Sequence, residues 1–171
     1  MVAKHEEFIA VMAVLDEDTQ KKLQALRNAL ICAYGPDTET ADLPFHITLG
    51  SYAPEDEAVT VSRIRALATA SAPVSIRFSG LKLVGTNVRY MAPVLDKGLK
   101  QLHSHFDSDY ANGYPDWLPH ASVYRHALPA GETLPEEIVA MAEKIRDARI
   151  TALELGAFGP LRHICRAKLE K

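Results

Sequence analysis

Cysteine is scarce: the two in 171 residues, Cys32 and Cys165, make neither a CxxC pair nor a disulfide framework. Buried free thiols in a reducing cytoplasm are the expectation for both. No apolar run approaches the roughly 18 residues of a membrane span. The start, Met1 to Glu7, lacks the basic-then-apolar layout of a secretory signal. A phosphate loop of the GxxxxGK type is also missing, which argues against ATP-driven ligation. Nor is there a basic excess, since 19 Lys and Arg face 22 Asp and Glu for a net charge of −3. Proteins that grip long nucleic acid draw most of their affinity from phosphate contacts on a basic face. The charge therefore argues against a long duplex and leaves room for one or two phosphates at a small local positive site. A cytoplasmic monomer with no membrane partner is the expectation.

What is present is an ordinary globular composition, 47% apolar and 24% charged, arranged as one pattern written twice. Phe8–Asp16 is apolar, and an amphipathic helix follows it, capped by Asp18 or Thr19, with Leu23, Leu26, Leu30 and Ile31 at helical spacing. Gly35 and Pro36 stop that helix. A short strand covers Leu43–Tyr52, a helix begins near Pro54, and an alternating strand runs from Pro73 to a turn at Gly85. The second half repeats the order. Val88–Asp96 is a strand ending, like the first, in Val-Leu-Asp, and a helix from Lys97 carries Leu99, Leu102, His103 and Phe106. A loop with Asn112-Gly113 and Pro115 leads to a strand over Trp117–Tyr124. A helix capped near Thr133, with Pro135 at its start, uses Ile138, Met141 and Ile145, and two strands around Gly159-Pro160 end the chain. This predicts one α+β domain over 1–171. It is bilobal, with half-repeats at about 8–85 and 88–169. Two pseudo-twofold lobes of antiparallel sheet with flanking helices would enclose a central groove.

Each half holds a His-x-Thr/Ser motif, His46-Ile47-Thr48 and His120-Ala121-Ser122, just after a Leu-Pro and just before an apolar residue. Side chains two apart on a strand share a face. Each motif thus sets an imidazole beside a hydroxyl and turns Ile47 and Leu49, or Ala121 and Val123, into the core. One such tripeptide among seven histidines is expected by chance. Two in the same slot of a repeat point to one shared site. Two facing imidazoles, each beside a hydroxyl donor, suit acid–base attack on a phosphodiester. The remaining histidines read as structural: His5, His103, His105, His126 and His163.

The pair His-Ile-Thr-Leu at His46 and His-Ala-Ser-Val at His120, inside a duplicated α+β chain, resembles the 2H phosphoesterase superfamily, which includes bacterial 2′-5′ RNA ligase-like proteins and cyclic nucleotide phosphodiesterases. Arg125, five residues after the second histidine, resembles the RNA ligase-like branch. The resemblance implies opening of a 2′,3′-cyclic phosphate of a nucleotide or RNA end, or cleavage of a 2′,5′-linked oligonucleotide. One histidine would deprotonate water and the other protonate the leaving oxygen, with His46 as acid and His120 as base. Thr48 and Ser122 would bond the nonbridging oxygens. Arg125 would add positive charge, and Tyr52 or Tyr124, at the histidine's strand parity, would stack on a base; behind them stand Tyr90, Trp117 and Phe45. The loops 35–45 and 107–117 would carry specificity. No cofactor or metal is implied, because neither motif offers a third ligand at zinc spacing. A non-catalytic module that captures a nucleotide or RNA end, and a metal-dependent hydrolase using the same histidines, are the alternatives.

Overall fold

A computed structural model describes residues 7–38, 42–108, 116–128 and 131–171. β1 (Phe8–Leu15) is apolar throughout and buried at every position but the first, as befits a strand with a partner on each edge. α1 (Glu17–Tyr34) follows. Its cap is Asp16, not Asp18 or Thr19. Asp16 is the last extended residue, so its carboxylate accepts the Thr19 N–H at 3.0 Å, while Asp18 lies inside the first turn and pairs with Lys22. Leu23, Leu26 and Leu30 form the buried stripe. Gly35, at a φ of +100° that favours glycine, ends the helix. Cys32 lies off the buried stripe and is exposed, contrary to the expectation of a buried thiol, and Cys165 is half-buried.

β2 (His46–Tyr52), a 3₁₀ turn (Pro54–Asp56), α2 (Glu57–Ala70) and β3 (Val74–Val84) complete the first half. β4 (Val88–Pro93), α3 (Lys97–Ser104), β5 (Ala121–Arg125), α4 (Glu136–Glu143) and β6 (Asp147–Phe158) repeat that order, and β7 (Arg162–Lys168) is appended. The second Val-Leu-Asp has the same use as the first, for Asp96 caps α3 by accepting the Leu99 N–H at 2.9 Å. α4 has no side-chain cap; Pro135 stands at that position, and Ile138, Ala142 and Ile145 are buried while Met141 is only partly so.

All strand pairs are antiparallel, in the order β2-β1-β6-β3-β4-β5, with β7 added to β6. That order is a palindrome of the repeat: exchanging β1, β2, β3 for β4, β5, β6 reverses it onto itself. Each half lends its third strand to the other, so β6 pairs with β1 and β3 with β4. The two lent strands meet only over Val74–Arg77 and Asp147–Ile150, beyond which β7 takes β3's place beside β6. α1 and α4 back the wing of β3, β4 and β5; α2 and α3 lie against the other wing, α3 also touching β3. Among the described residues no helix is long and apolar enough to cross a membrane.

Candidate active site

His46 opens β2 and His120 immediately precedes β5. The expected alternation holds at both motifs: His46, Thr48, His120 and Ser122 are partly exposed, whereas Ile47, Leu49, Ala121 and Val123 are fully buried. The two rings are held alike. His46 Nδ1 lies 2.7 Å from the Pro44 carbonyl and His120 Nδ1 lies 2.7 Å from the Leu118 carbonyl, each two residues upstream. A carbonyl only accepts, so Nδ1 carries the proton in both rings, and Nε2 is the nitrogen left for chemistry. α1 fixes the approach to His46, because the Gln20 side chain accepts the Phe45 N–H at 2.8 Å and donates to its carbonyl at 2.7 Å.

Just past each motif the strand carries one extra residue. In the β1–β2 ladder Val11 faces Gly50 and Met12 faces Thr48, leaving Leu49 over; in the β4–β5 ladder Arg89 faces Tyr124 and Tyr90 faces Ser122, leaving Val123 over. A bulge of this kind reverses the alternation beyond it. Tyr52 and Tyr124, expected in the groove by parity, therefore fall on the core side. Tyr124 is fully buried with its hydroxyl donated to the Gly35 carbonyl at 2.8 Å, and Tyr52 packs against the core. The same bulge turns Arg125 onto the motif face, where its guanidinium donates to Ser122 Oγ at 3.4 Å. The aromatic ring beside the site is Tyr90, the cross-strand partner of Ser122, which meets His120 edge-on at 5.7 Å.

Three further groups bear on the site: Trp117, which the sequence placed only among the weaker stacking aromatics, His103, which it took as structural, and Glu154, which it did not single out. Trp117 Nε1 donates to the Thr48 carbonyl at 3.0 Å, and His103 Nδ1 donates to the adjoining Leu49 carbonyl at 2.7 Å, while the two rings stack at 3.6 Å. This stack grips the first bulge from α3 and from the segment that leads into His120. Glu154 of β6 is the third, a buried carboxylate in register with Met12, the partner of Thr48. A lone charge between Leu153 and Leu155 in an apolar strand was its sequence signal. Of the loops expected to set specificity, 39–41 and 109–115, with Asn112-Gly113, lie outside the described residues.

Burial pushes both histidines below their ordinary value. For His46 the Pro44 carbonyl opposes this, His120 reinforces it, Glu154 opposes it and Arg125 reinforces it; for His120 the Leu118 carbonyl opposes it and Arg125 reinforces it. Arg125 thus acts on both rings, and His120 on His46. Among the described residues no three His, Cys, Asp or Glu side chains converge as a ligand set.

No curated protein sequence matches the chain. The fold is shared with crystal structures at low identity. TT0787 of Thermus thermophilus superposes with a TM-score of 0.66 at 15% identity, over 95% of this chain and 97% of that one. LigT of Escherichia coli in its apo form gives 0.60 at 16%, over 96% and 98%, and its complex with 3′-AMP gives 0.59 at 16%, over 98% and 100%. The family model for the 2′-5′ RNA ligase superfamily matches residues 16–159, a span that holds both histidine motifs, and the chain belongs to that superfamily.

Proposed function

We propose that this chain is a metal-independent phosphodiesterase that opens 2′,3′-cyclic phosphates of nucleotides or RNA ends, with 8–85 and 88–169 as its two half-repeats. The observation that carries the reading is the matched pair of Nδ1–H bonds to Pro44 and Leu118, which leaves Nε2 of each ring as the nitrogen able to take or give a proton. His120, neutral, takes a proton from water as the water oxygen bonds to phosphorus. His46, protonated, gives its proton to the ribose oxygen as the P–O bond to the ring breaks. The water oxygen ends on a phosphomonoester and the proton on a ribose hydroxyl. His46 is assigned the acid because the negative charge of Glu154 favours its protonated form, against burial, His120 and Arg125. Thr48 and Ser122 donate to the nonbridging oxygens, where negative charge builds up, and Arg125 supplies the positive charge. The binding of 3′-AMP and of phosphate by LigT is consistent with a small phosphate-bearing substrate.

The test is hydrolysis of the four nucleoside 2′,3′-cyclic monophosphates with EDTA present, by wild type and by the His46→Ala, His120→Ala double variant. Turnover by wild type alone is expected. Turnover that EDTA abolishes and zinc or manganese restores would replace this account with a metal-dependent one. A p-nitrophenyl phosphodiester, whose leaving group needs no proton, separates the two roles. It rescues His46→Ala and not His120→Ala if His46 is the acid.

A further inference from the structure

A pocket lies beside the segment leading into His46, between Asp42 and Pro44 of that segment and Glu154, His163 and Arg166 of β6 and β7. Register places it on the site's side of the sheet. Thr48 pairs with Met12, Met12 with Glu154, and Glu154 with Arg166; His46 pairs with Val14, Val14 with Ala152, and Ala152 with Lys168. Directly opposed residues of antiparallel strands share a face. Arg166 and Lys168 thus stand on the face of Thr48 and His46, three strands away, or about 14 Å at the usual strand spacing. Both are exposed. On the opposite face of β7, Cys165, which also borders the pocket, and Ala167 pack on the core, and Arg162 donates to Glu57 of α2 at 2.7 Å.

Glu154 is the anchor of this cluster. It is 4% exposed and receives His163 Nδ1 on one oxygen at 2.6 Å, with Arg166 Nη1 3.6 Å from the other. A buried carboxylate is costly unless paired, and here its partners are two donors whose side chains remain about half exposed, each at 53%. Pinned from below, His163 keeps Nε2 and Arg166 its remaining N–H groups for a ligand. β7 reads Arg-His-Ile-Cys-Arg-Ala-Lys, with no acidic residue, on a chain of net charge −3. It is a local positive strip in an otherwise acidic molecule.

We propose that this pocket and the Arg166–Lys168 edge bind a second phosphate of the substrate, an internucleotide phosphodiester upstream of the one held between the histidines. The inference rests on the phosphodiesterase reading and makes the preferred substrate an oligonucleotide end instead of a mononucleotide, whose reach falls short of β7.

The experiment compares wild type with the Arg166→Ala, Lys168→Ala double variant on three substrates: adenosine 2′,3′-cyclic phosphate, its 5′-phosphorylated form, and an adenylate trinucleotide ending in the same cyclic phosphate. Wild type favours the trinucleotide by kcat/KM. In the variant the trinucleotide-to-mononucleotide ratio falls about tenfold, chiefly through KM, and the log–log salt slope flattens by about 0.7 for each phosphate no longer neutralised. An unchanged ratio overturns the proposal. A full preference already gained by the 5′-phosphorylated mononucleotide overturns the internucleotide assignment. If wild type turns over none of the three, the phosphodiesterase reading fails by itself. Fluorescence anisotropy with a labelled trinucleotide 3′-phosphate then decides the pocket: weaker binding by the variant upholds it, and equal binding overturns it.

Discussion

At each site histidine one hydrogen bond settles the tautomer. Removing either ring removes a positioned proton carrier, so His46→Ala and His120→Ala are each expected to lower turnover by roughly 10²–10⁴-fold. Far-UV circular dichroism should stay unchanged, because both rings sit at the surface end of their strands. Trp117 tests something finer. Trp117→Phe keeps an aromatic ring for His103 to stack on but removes the Nε1–H donor to the Thr48 carbonyl. An unmet buried acceptor costs about 1–3 kcal/mol. The variant should lose kcat more than it changes KM, because the Thr48 hydroxyl and the approach to His120 both relax. A rise in KM alone would make the tryptophan a wall of the groove. Protonation supplies a third check. With both histidines pushed below their ordinary ~6.5, the kcat/KM profile should be bell-shaped, centred on the acid side of that value. Its two limbs belong to the pair and not to either ring.

Element by element, the order of strands and helices was legible because the apolar periods are clean and the punctuation strong: Gly35-Pro36, Pro73 and Gly85 fall between elements, and Pro54 opens the short turn ahead of α2. The paired motifs were legible too, since alternation holds from His46 to Leu49 and from His120 to Val123. What parity could not foresee were the bulges at Leu49 and Val123. A bulge is a choice between ladders, set by what the neighbouring strand and helix present, and no residue type announces it. That single unseen residue per strand misplaced Tyr52 and Tyr124 and explains why Arg125, at odd spacing from His120, reaches the site. Gly50 shows what the first bulge brings close, for a Cβ there would overlap the Phe106 carbonyl oxygen just past α3. Gly50→Ala must push that segment away from β2, which should cost about 1–3 kcal/mol or more; urea unfolding measures it. The two helix caps offer a paired comparison. Asp16 accepts the Thr19 N–H, the Thr19 hydroxyl and the Arg149 N–H, and these bonds outweigh burial to hold its carboxyl below the usual range. Asp96 accepts the Leu99 N–H. Asp16→Ala should therefore destabilise by about 2 kcal/mol and Asp96→Ala by about 1 kcal/mol.

The molecule as a whole carries its two partly desolvated imidazoles as a pH liability. Folding lowers their proton affinity, so the unfolded chain binds more protons once the pH drops below ~6.5. The stability they permit is complete above that value and drains away as the pH falls through the folded-state values. Urea midpoints at about pH 7.5 and about pH 5.5 should differ in wild type, and differ less in a His46→Asn, His120→Asn variant.

Because β1 finds its edge in β6 and β4 finds its edge in β3, neither half owns a finished sheet. A chain cut in the turn at Gly85 would yield two pieces, each with a motif histidine and each holding the strand the other lacks. Apart, they are expected to stay unfolded; mixed, they should reassemble and recover turnover, as a subunit exchange written between two polypeptides. Read backwards, the same geometry describes a single repeat whose only folded form is a symmetric pair, with one histidine from each copy meeting across the axis.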